Sequence, residues 1–268
     1  MLPASVDSVG AACAHVLLTP DPSAKLKAAR AVARAWRQGR LDARFDAAMP
    51  DRPARPALPE LLPPNRMPKR GKIGSERART AMLHALAHIE FVAIDLAFDL
   101  VGRFGRQFPD AFIDQWMQVG AEEAMHFALL DRRLRQMGSH YGALPAHDGL
   151  WQAAEETATD ALARLAIVPM VLEARALDIT PATVDRFESV GDHVSARMLR
   201  RIMADEIRHV SAGTTWFNWA TNRLGIDSPN HYQILVKRHF RGGLKAPFNA
   251  SARRQAGLTE EYYAALAT

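Results

Sequence analysis

The sequence predicts an all-α protein whose centre is an antiparallel four-helix bundle, with extra helices at its N- and C-terminal ends. Over residues 75–225, apolar side chains recur at intervals of three and four, the spacing that places them on one face of a helix. Little in this region alternates with a period of two, so strands are not expected. Short links join the four apolar runs, which makes consecutive helices antiparallel neighbours.

Residues 1–74 are predicted to form an N-terminal part with one amphipathic helix and an extended segment. The helix is expected over 23–38, with apolar side chains on the side of Trp36 and Ser23 as a candidate N-cap. Residues 50–68 contain seven prolines. Proline fixes φ and lacks a backbone donor, so this stretch is expected to be extended and to wrap the surface of the following helices.

Four long helices are predicted in the central part, residues 75–225. Their predicted ranges are 75–104, 110–137, 150–177 and the stretch from the end of "DITP" to Gly225. Gly138 is expected to end the second helix as a C-terminal cap, and Pro169 to kink the third. The fourth has a candidate break near Gly191. Residues 226–268 are predicted to add a helix, an irregular stretch and a short terminal helix.

The composition excludes several classes of protein. A single cysteine, Cys13, rules out a disulfide within the chain and a cysteine-based zinc or iron–sulfur site. Residues 1–20 lack the pattern of a secretory signal, and no apolar stretch reaches the roughly 18 residues that a membrane span needs. A cytoplasmic protein without a membrane partner is therefore expected.

The net charge of +5 is unevenly distributed. Residues 1–74 carry +7, residues 75–222 carry −6 and residues 223–268 carry +4. Solvated surface charge explains this split, and so does a basic rim that attracts an anionic substrate or partner.

Each of the four predicted helices carries a glutamate among its apolar residues. These are Glu90, Glu123, Glu173 and Glu206. In the second and fourth helices a histidine, His126 or His209, follows three residues later and shares the face. Burying four carboxylates together is prohibitive without counter-charge. Two divalent cations would cancel them, with one neutral imidazole bound to each.

The spacing of these residues is a second argument for a metal centre. Glu123 follows Glu90 by 33 residues, and each histidine lies 36 residues after the lone glutamate of its half. Glu206 also follows Glu173 by 33 residues. One Glu from each of two helices plus a Glu-x-x-His from the other two forms a carboxylate-bridged dimetal site. We therefore predict that these six side chains bind two iron ions, with manganese or a mixed pair also compatible, and that Glu123 and Glu206 bridge them.

The fourth helix contains "DEIRH" at residues 205–209. It resembles the D-E-x-R-H motif of ferritin-like di-iron oxidases, including bacterial multicomponent monooxygenases and ribonucleotide reductase small subunits. Roughly residues 50–258 resemble more closely an uncharacterised bacterial ferritin-like family, a domain of unknown function. The matching segments are "RPARPALPELLPP", "HALAHIEFVAIDLAFD", "EEAMHFALL", "YGALPAHDGLW", "EARALDITP", "DEIRHVSAGTTWF" and "NASARRQAGL". Ala176 stands where the resemblance would place a glycine, outside the ligand set.

The resemblance implies a ferritin-like antiparallel four-helix bundle with a di-iron carboxylate centre, and it implies no substrate. In such relatives the acid before the motif glutamate usually accepts an N–H from a ligand histidine. Asp205 and Glu122 are expected to take this role, which fixes ring orientation and tautomer. The alternative is that both face solvent.

Two further histidines, His84 and His88, lie on the first helix. His88 is two residues from Glu90, about 200° around the helix, so it should not join the same site. A His-x-x-x-His pair can bind metal alone. We expect instead that both hydrogen-bond to the wrapping N-terminal segment.

Three functions are compatible with these residues. The first is an oxidoreductase, an oxidase or monooxygenase that activates dioxygen and oxidises an unidentified substrate, with an electron donor as a further partner. All four tyrosines lie outside the four predicted helices, which argues against a radical-tyrosine subunit. The second is a metal-binding or iron-handling protein without substrate turnover. The third is a hydroxylase of a modified tRNA base, suggested by the basic flanks and by related ferritin-like enzymes. The oligomeric state is left open.

Overall fold

The computed structural model describes residues 2–3, 6–68, 74–241 and 243–268, and the regular elements in these ranges are helices. Isolated bridges, but no strands, are present in the described part. The all-α prediction is confirmed. The chain forms two compact units, Met1–Trp151 and Gln152–Thr268. The predicted division at residues 74 and 225 stays a prediction.

Besides two short 3-10 helices, the first unit contains, among its described residues, four α-helices and the start of a fifth. They are α1 (Val9–Leu17), α2 (Pro22–Arg37), α3 (Glu76–Phe104), α4 (Asp110–Gln136) and α5 (Gly149–Glu156), which crosses into the second unit. Asp21, rather than the predicted Ser23, caps α2, because its side chain accepts from Ala24 N and Pro22 sits at the first helical position. Sequence analysis missed α1, which is short and capped by Ser8.

The centre of the first unit is α3, which packs along α4 and also contacts α1, while α2 packs on α4. The Ser75 side chain caps α3 by accepting from Ala78 N. Gly138 follows α4 with φ +70°, as a C-terminal glycine should. With its following turn, α3 is long and apolar enough to cross a membrane, but most of its apolar window is buried in the protein. This burial is typical of a core helix in a soluble protein.

The proline-rich segment contacts α3 and α5. Arg103 Nη2 donates to the Pro50 carbonyl, and Trp151 Nε1 donates to the Asp51 carbonyl at 3.1 Å. Deeper in the unit, Asp95 forms ion pairs with Lys25 of α2 and Arg55 of this segment. The buried carboxylate thus ties three parts of the unit together with its charge compensated, a condition for tolerating buried ions.

The second unit is also helical. Its elements are α6 (Ala161–Ile167), a π-helical turn (Val168–Glu173), α7 (Ala174–Ser189), α8 (His193–Leu224), α9 (Ser228–His239), α10 (Ala250–Gln255) and α11 (Glu260–Tyr263). The longest, α8, packs on α7, α6 and the π-helical turn, and α6 also packs on α9. The irregularity predicted at Pro169 takes the form of this π-helical turn, which accommodates the missing N–H within the helix.

The predicted boundary between the third and fourth helices is wrong. Helix α7 continues past "DITP", through Pro181, and the break comes only at Gly191. Gly191 has φ +76°, which glycine adopts without steric cost. Asp192 then caps α8 by accepting from Ser195 N at 3.0 Å.

A side chain from the C-terminal part explains why α7 tolerates its internal proline. Pro181 removes the N–H that would bond to the Leu177 carbonyl four residues earlier. Asn249 Nδ2 donates to that carbonyl instead, at 3.2 Å. Next to it, the buried Arg253 makes a two-bond pair with Asp178, with N–O distances of 2.8 and 2.7 Å. The C-terminal segment therefore fastens α7 at its proline.

Candidate metal centre

The first unit brings three of the predicted ligands together. His126 Nδ1 lies 3.1 Å from Glu90 Oε2 and 3.5 Å from Glu123 Oε2. Glu90 comes from α3, and the other two come from one face of α4. All three side chains are buried. Nδ1 is therefore the imidazole nitrogen that faces the carboxylate oxygens in this half of the predicted site.

The second unit repeats the Glu-x-x-His part of this arrangement on α8. His209 Nδ1 lies 3.5 Å from Glu206 Oε1, and both side chains are buried. The distance equals that between His126 Nδ1 and its own Glu123. Residues three apart in a helix share a face, so the same Glu-x-x-His pattern gives the same local geometry twice.

Glu173 is the last residue of the π-helical turn Val168–Glu173 and is half-buried. The turn approaches α8 closely at Gly213. A Cβ added at this glycine would lie only 2.5 Å from Pro169 Cβ and Cγ. Glu173 is four residues after Pro169, and His209 is four residues before Gly213. The Gly213–Pro169 contact thus fixes the spacing of the two chain segments that carry these two predicted ligands. This close approach could not be read from the sequence.

Each unit contains one buried pair of side chains of a kind that can bind a metal ion, Glu123 with His126 in the first unit and Glu206 with His209 in the second. Carboxylate oxygen and imidazole nitrogen form a donor set that suits iron, manganese or zinc. Each Glu-x-x-His pair offers one of each donor from one rigid helix. The residues therefore fit a divalent transition metal.

The two acids that precede the motif glutamates lie in different surroundings. Asp205 is buried and accepts from Arg201 Nε at 3.1 Å and from Arg208 Nη2 at 2.6 Å. Glu122 is half-buried and accepts from Gln118 Nε2 at 2.8 Å. The expected bond from each to a ligand histidine stays a prediction.

The expectation for His84 and His88 is wrong. Their hydrogen bonds go to the loop after α4. His84 Nε2 accepts from Gly142 N at 2.9 Å, and His88 Nδ1 lies 2.9 Å from the Tyr141 hydroxyl. Burial lowers the pKa of His84 to about 4 and that of His88 to about 3, so both rings are neutral near pH 7.

Sequence analysis also missed the role of Tyr141. Its ring lies 5.3 Å from the Phe91 ring and 4.9 Å from the Phe127 ring, measured between centroids. Phe91 directly follows Glu90, and Phe127 directly follows His126. Tyr141 therefore packs against the two residues that come next to predicted ligands, although it lies outside the long helices.

Comparison with known proteins identifies the family. The chain matches the model of the family described as "Protein of unknown function (DUF455)" over residues 18–264. It is also 38% identical over 211 residues to a protein of Haemophilus influenzae described as "Uncharacterized protein", and this alignment covers 76% of the chain and 73% of the relative. None of the solved structures matches the chain. Because the family model spans most of its length, the chain belongs to the DUF455 family.

Proposed function

We propose that this protein is a dimetal oxidoreductase of the ferritin-like kind. In this proposal the two Glu-x-x-His pairs and the two lone glutamates hold two iron ions, or iron and manganese, in one four-helix bundle. The protein then activates dioxygen and oxidises a small organic substrate. A reaction that inserts one oxygen atom also takes two electrons from a separate donor.

The observation that carries the proposal is the repeated local geometry. In α4 and in α8, Nδ1 of a fully buried histidine lies 3.5 Å from a carboxylate oxygen of the glutamate three residues earlier. Glu90 adds a second oxygen, 3.1 Å from His126 Nδ1. Two buried pairs with the same donors and the same offset from a lone glutamate favour a two-metal site over two unrelated surface motifs.

The charges of the chain's own side chains explain why two cations are required. Four ionised glutamates carry four negative charges, and clustering them in the interior is costly without compensation. Two divalent ions supply four positive charges, and the two imidazoles add ligands without adding charge. In the lower oxidation state such ions supply the electrons that reduce dioxygen.

Metal content tests the ligand assignment. The protein as purified is expected to hold about two metal ions per chain. A double variant, His126→Ala with His209→Ala, should lose most of this metal, because each ion loses its only nitrogen donor. His193→Ala is the matched control, since His193 is exposed and pairs with Glu188. Unchanged metal content in the double variant would rule the assignment out.

Reaction with oxygen separates an enzyme from a metal carrier. The protein is loaded with two ferrous ions without oxygen, mixed rapidly with dioxygen, and followed by absorbance and by an oxygen electrode. Fast oxygen consumption that stops after the bound iron is oxidised supports the proposal. Metal retention without an oxygen reaction, or iron uptake that continues beyond two ions per chain, would favour the metal-handling alternative.

A further inference from the structure

A second candidate site lies in the first unit, in a cavity of about 370 Å³ between the N-terminal end of α2, α4 and the loop after α4. This volume lies at the lower end of the range for small-molecule pockets. The cavity does not include any of the six predicted metal ligands. Its lining includes Leu26, Phe127, Ala128, Arg132, Arg135 and Tyr141.

The inner wall of this cavity is apolar and held in place. The rings of Phe127 and Tyr141 meet edge to face, with centroids 4.9 Å apart, and Leu26 of α2 lies opposite α4 in the lining. The Tyr141 hydroxyl is engaged by His88 Nδ1 at 2.9 Å, and Tyr141 also lines the cavity. Two fixed rings form a wall that suits a flat apolar body.

The rim of the cavity is polar, and its acidic groups are already engaged. Asp131 accepts from Arg135 Nε at 2.8 Å and from Tyr141 N at 3.0 Å. Asp21 accepts from Ala24 N at 2.7 Å. Within the described part of the chain, Arg132 makes no hydrogen bond or ion pair. The N-terminal end of α2, which carries partial positive charge, also lines the cavity.

We propose that this cavity binds a small organic anion with a flat apolar body, such as an aromatic carboxylate, with the body against Phe127 and Tyr141 and the anionic group at Arg132. Arginine binds carboxylates through two parallel N–H donors. Asp131 acts as a positioning residue, because it holds both Arg135 at the rim and the backbone of Tyr141 at the wall. Binding in this cavity needs no metal. A negative result in the binding test would therefore contradict this proposal and leave the dimetal proposal unaffected.

A pair of matched probes tests the proposal by isothermal titration calorimetry on the purified protein. The probes are 2-naphthoate and its uncharged analogue 2-naphthamide, which share the same apolar body. Saturable 1:1 binding of 2-naphthoate is expected. The affinity of 2-naphthamide should be lower by about tenfold or more, since it lacks the charge-assisted bonds to arginine. No saturable binding of 2-naphthoate, or equal binding of the two probes, would overturn the proposal.

Variants locate the binding at this cavity. Arg132→Gln should reduce 2-naphthoate binding to the level of 2-naphthamide, whereas Arg77→Gln, at an exposed arginine outside the lining, should leave both unchanged. Ala128→Trp should fill the space and abolish both. Leu26→Trp fills the cavity from the opposite wall and replaces Ala128→Trp if that variant does not fold. Circular dichroism shows whether each variant is folded. Undiminished binding in a folded, filled variant would place the probe elsewhere and refute the site.

Discussion

Replacing Gly213 with alanine tests whether the close contact between α8 and the π-helical turn sets the positions of the predicted ligands Glu173 and His209. The added Cβ would lie 2.5 Å from Pro169 Cβ and Cγ, whereas ordinary van der Waals contact begins at 3.4 Å. The segments must therefore separate by about 0.9 Å. Pro169 cannot swing aside as a flexible side chain would, because its ring is closed onto the backbone.

The size of the effect follows from two opposing contributions. Overpacking of this kind costs about 1–3 kcal/mol, while replacing a glycine within a helix gains about 0.5–1 kcal/mol. Because the contact is with a rigid ring, we expect a net loss of about 2 kcal/mol in the free energy of unfolding. For a chain of this length that lowers Tm by about 4–8 °C.

The same shift should weaken metal binding. Glu173 and His209 each lie one helical turn from the contact, and metal–ligand distances tolerate only about 0.2 Å. Affinity for manganese(II), measured from the electron paramagnetic resonance signal of the free ion, should fall by about tenfold or more.

Calorimetry of the metal-free protein measures the loss of stability separately from metal affinity. Thr215→Ala, at an exposed position of the same helix, is the control and should melt at or slightly above the wild type. A Gly213→Ala protein that melts as high as this control would show that the close approach does not constrain α8. Lower stability with unchanged manganese affinity would show that the contact stabilises the fold without setting the positions of Glu173 and His209.

Two further predictions concern pH and the proline in α7. The pKa of His84 is lowered to about 4 from its ordinary 6.5, so between these pH values the unfolded chain binds a proton that the folded chain does not. His84 should therefore contribute a fall of about 1.4 kcal/mol per pH unit to the free energy of unfolding as the pH drops through this window, and His88, with its pKa lowered to about 3, adds a comparable fall. Urea unfolding of His84→Gln should show a shallower fall than the wild type, and an equal slope would contradict this cause. Asn249→Ala should lower the free energy of unfolding by about 1–2 kcal/mol, because the Leu177 carbonyl loses its donor and α10 loses its cap. Asn249→Asp keeps a capping oxygen but lacks the donor. If Asn249→Asp is as stable as the wild type in chemical denaturation, the bond to Leu177 contributes nothing.

Local patterns in the sequence predicted the helices whose ends are set by neighbouring residues. The start of α3 at Ser75 and the end of α4 before Gly138 depend on a cap and a positive φ, both visible in the sequence. Gly191 was a candidate break, but the continuation of α7 through Pro181 could not be predicted in this way. A proline is a reasonable place to end a helix, and the group that compensates Pro181 belongs to Asn249, which is distant in sequence.

The candidate site shows the same limit. The three-residue spacing of glutamate and histidine was sufficient to predict each local pair, because helix geometry alone brings the two side chains to one face. The contacts of His84 and the packing of Tyr141 depend on where the loop after α4 folds back. No periodic pattern encodes that return, so the sequence suggested the wrong partner for His84 and no role for Tyr141.

The face of α4 that carries a predicted metal ligand also forms the wall of the cavity, and this suggests how a ligand would lie there. Glu123, Phe127, Asp131 and Arg135 are successive positions four residues apart, so they lie about 6 Å apart along the helix axis. The buried carboxylate is at one end of this row, the aromatic wall one turn away, and the charged rim at the other end. An anion held at the rim would therefore direct its apolar body along this row towards Phe127, which lines the cavity.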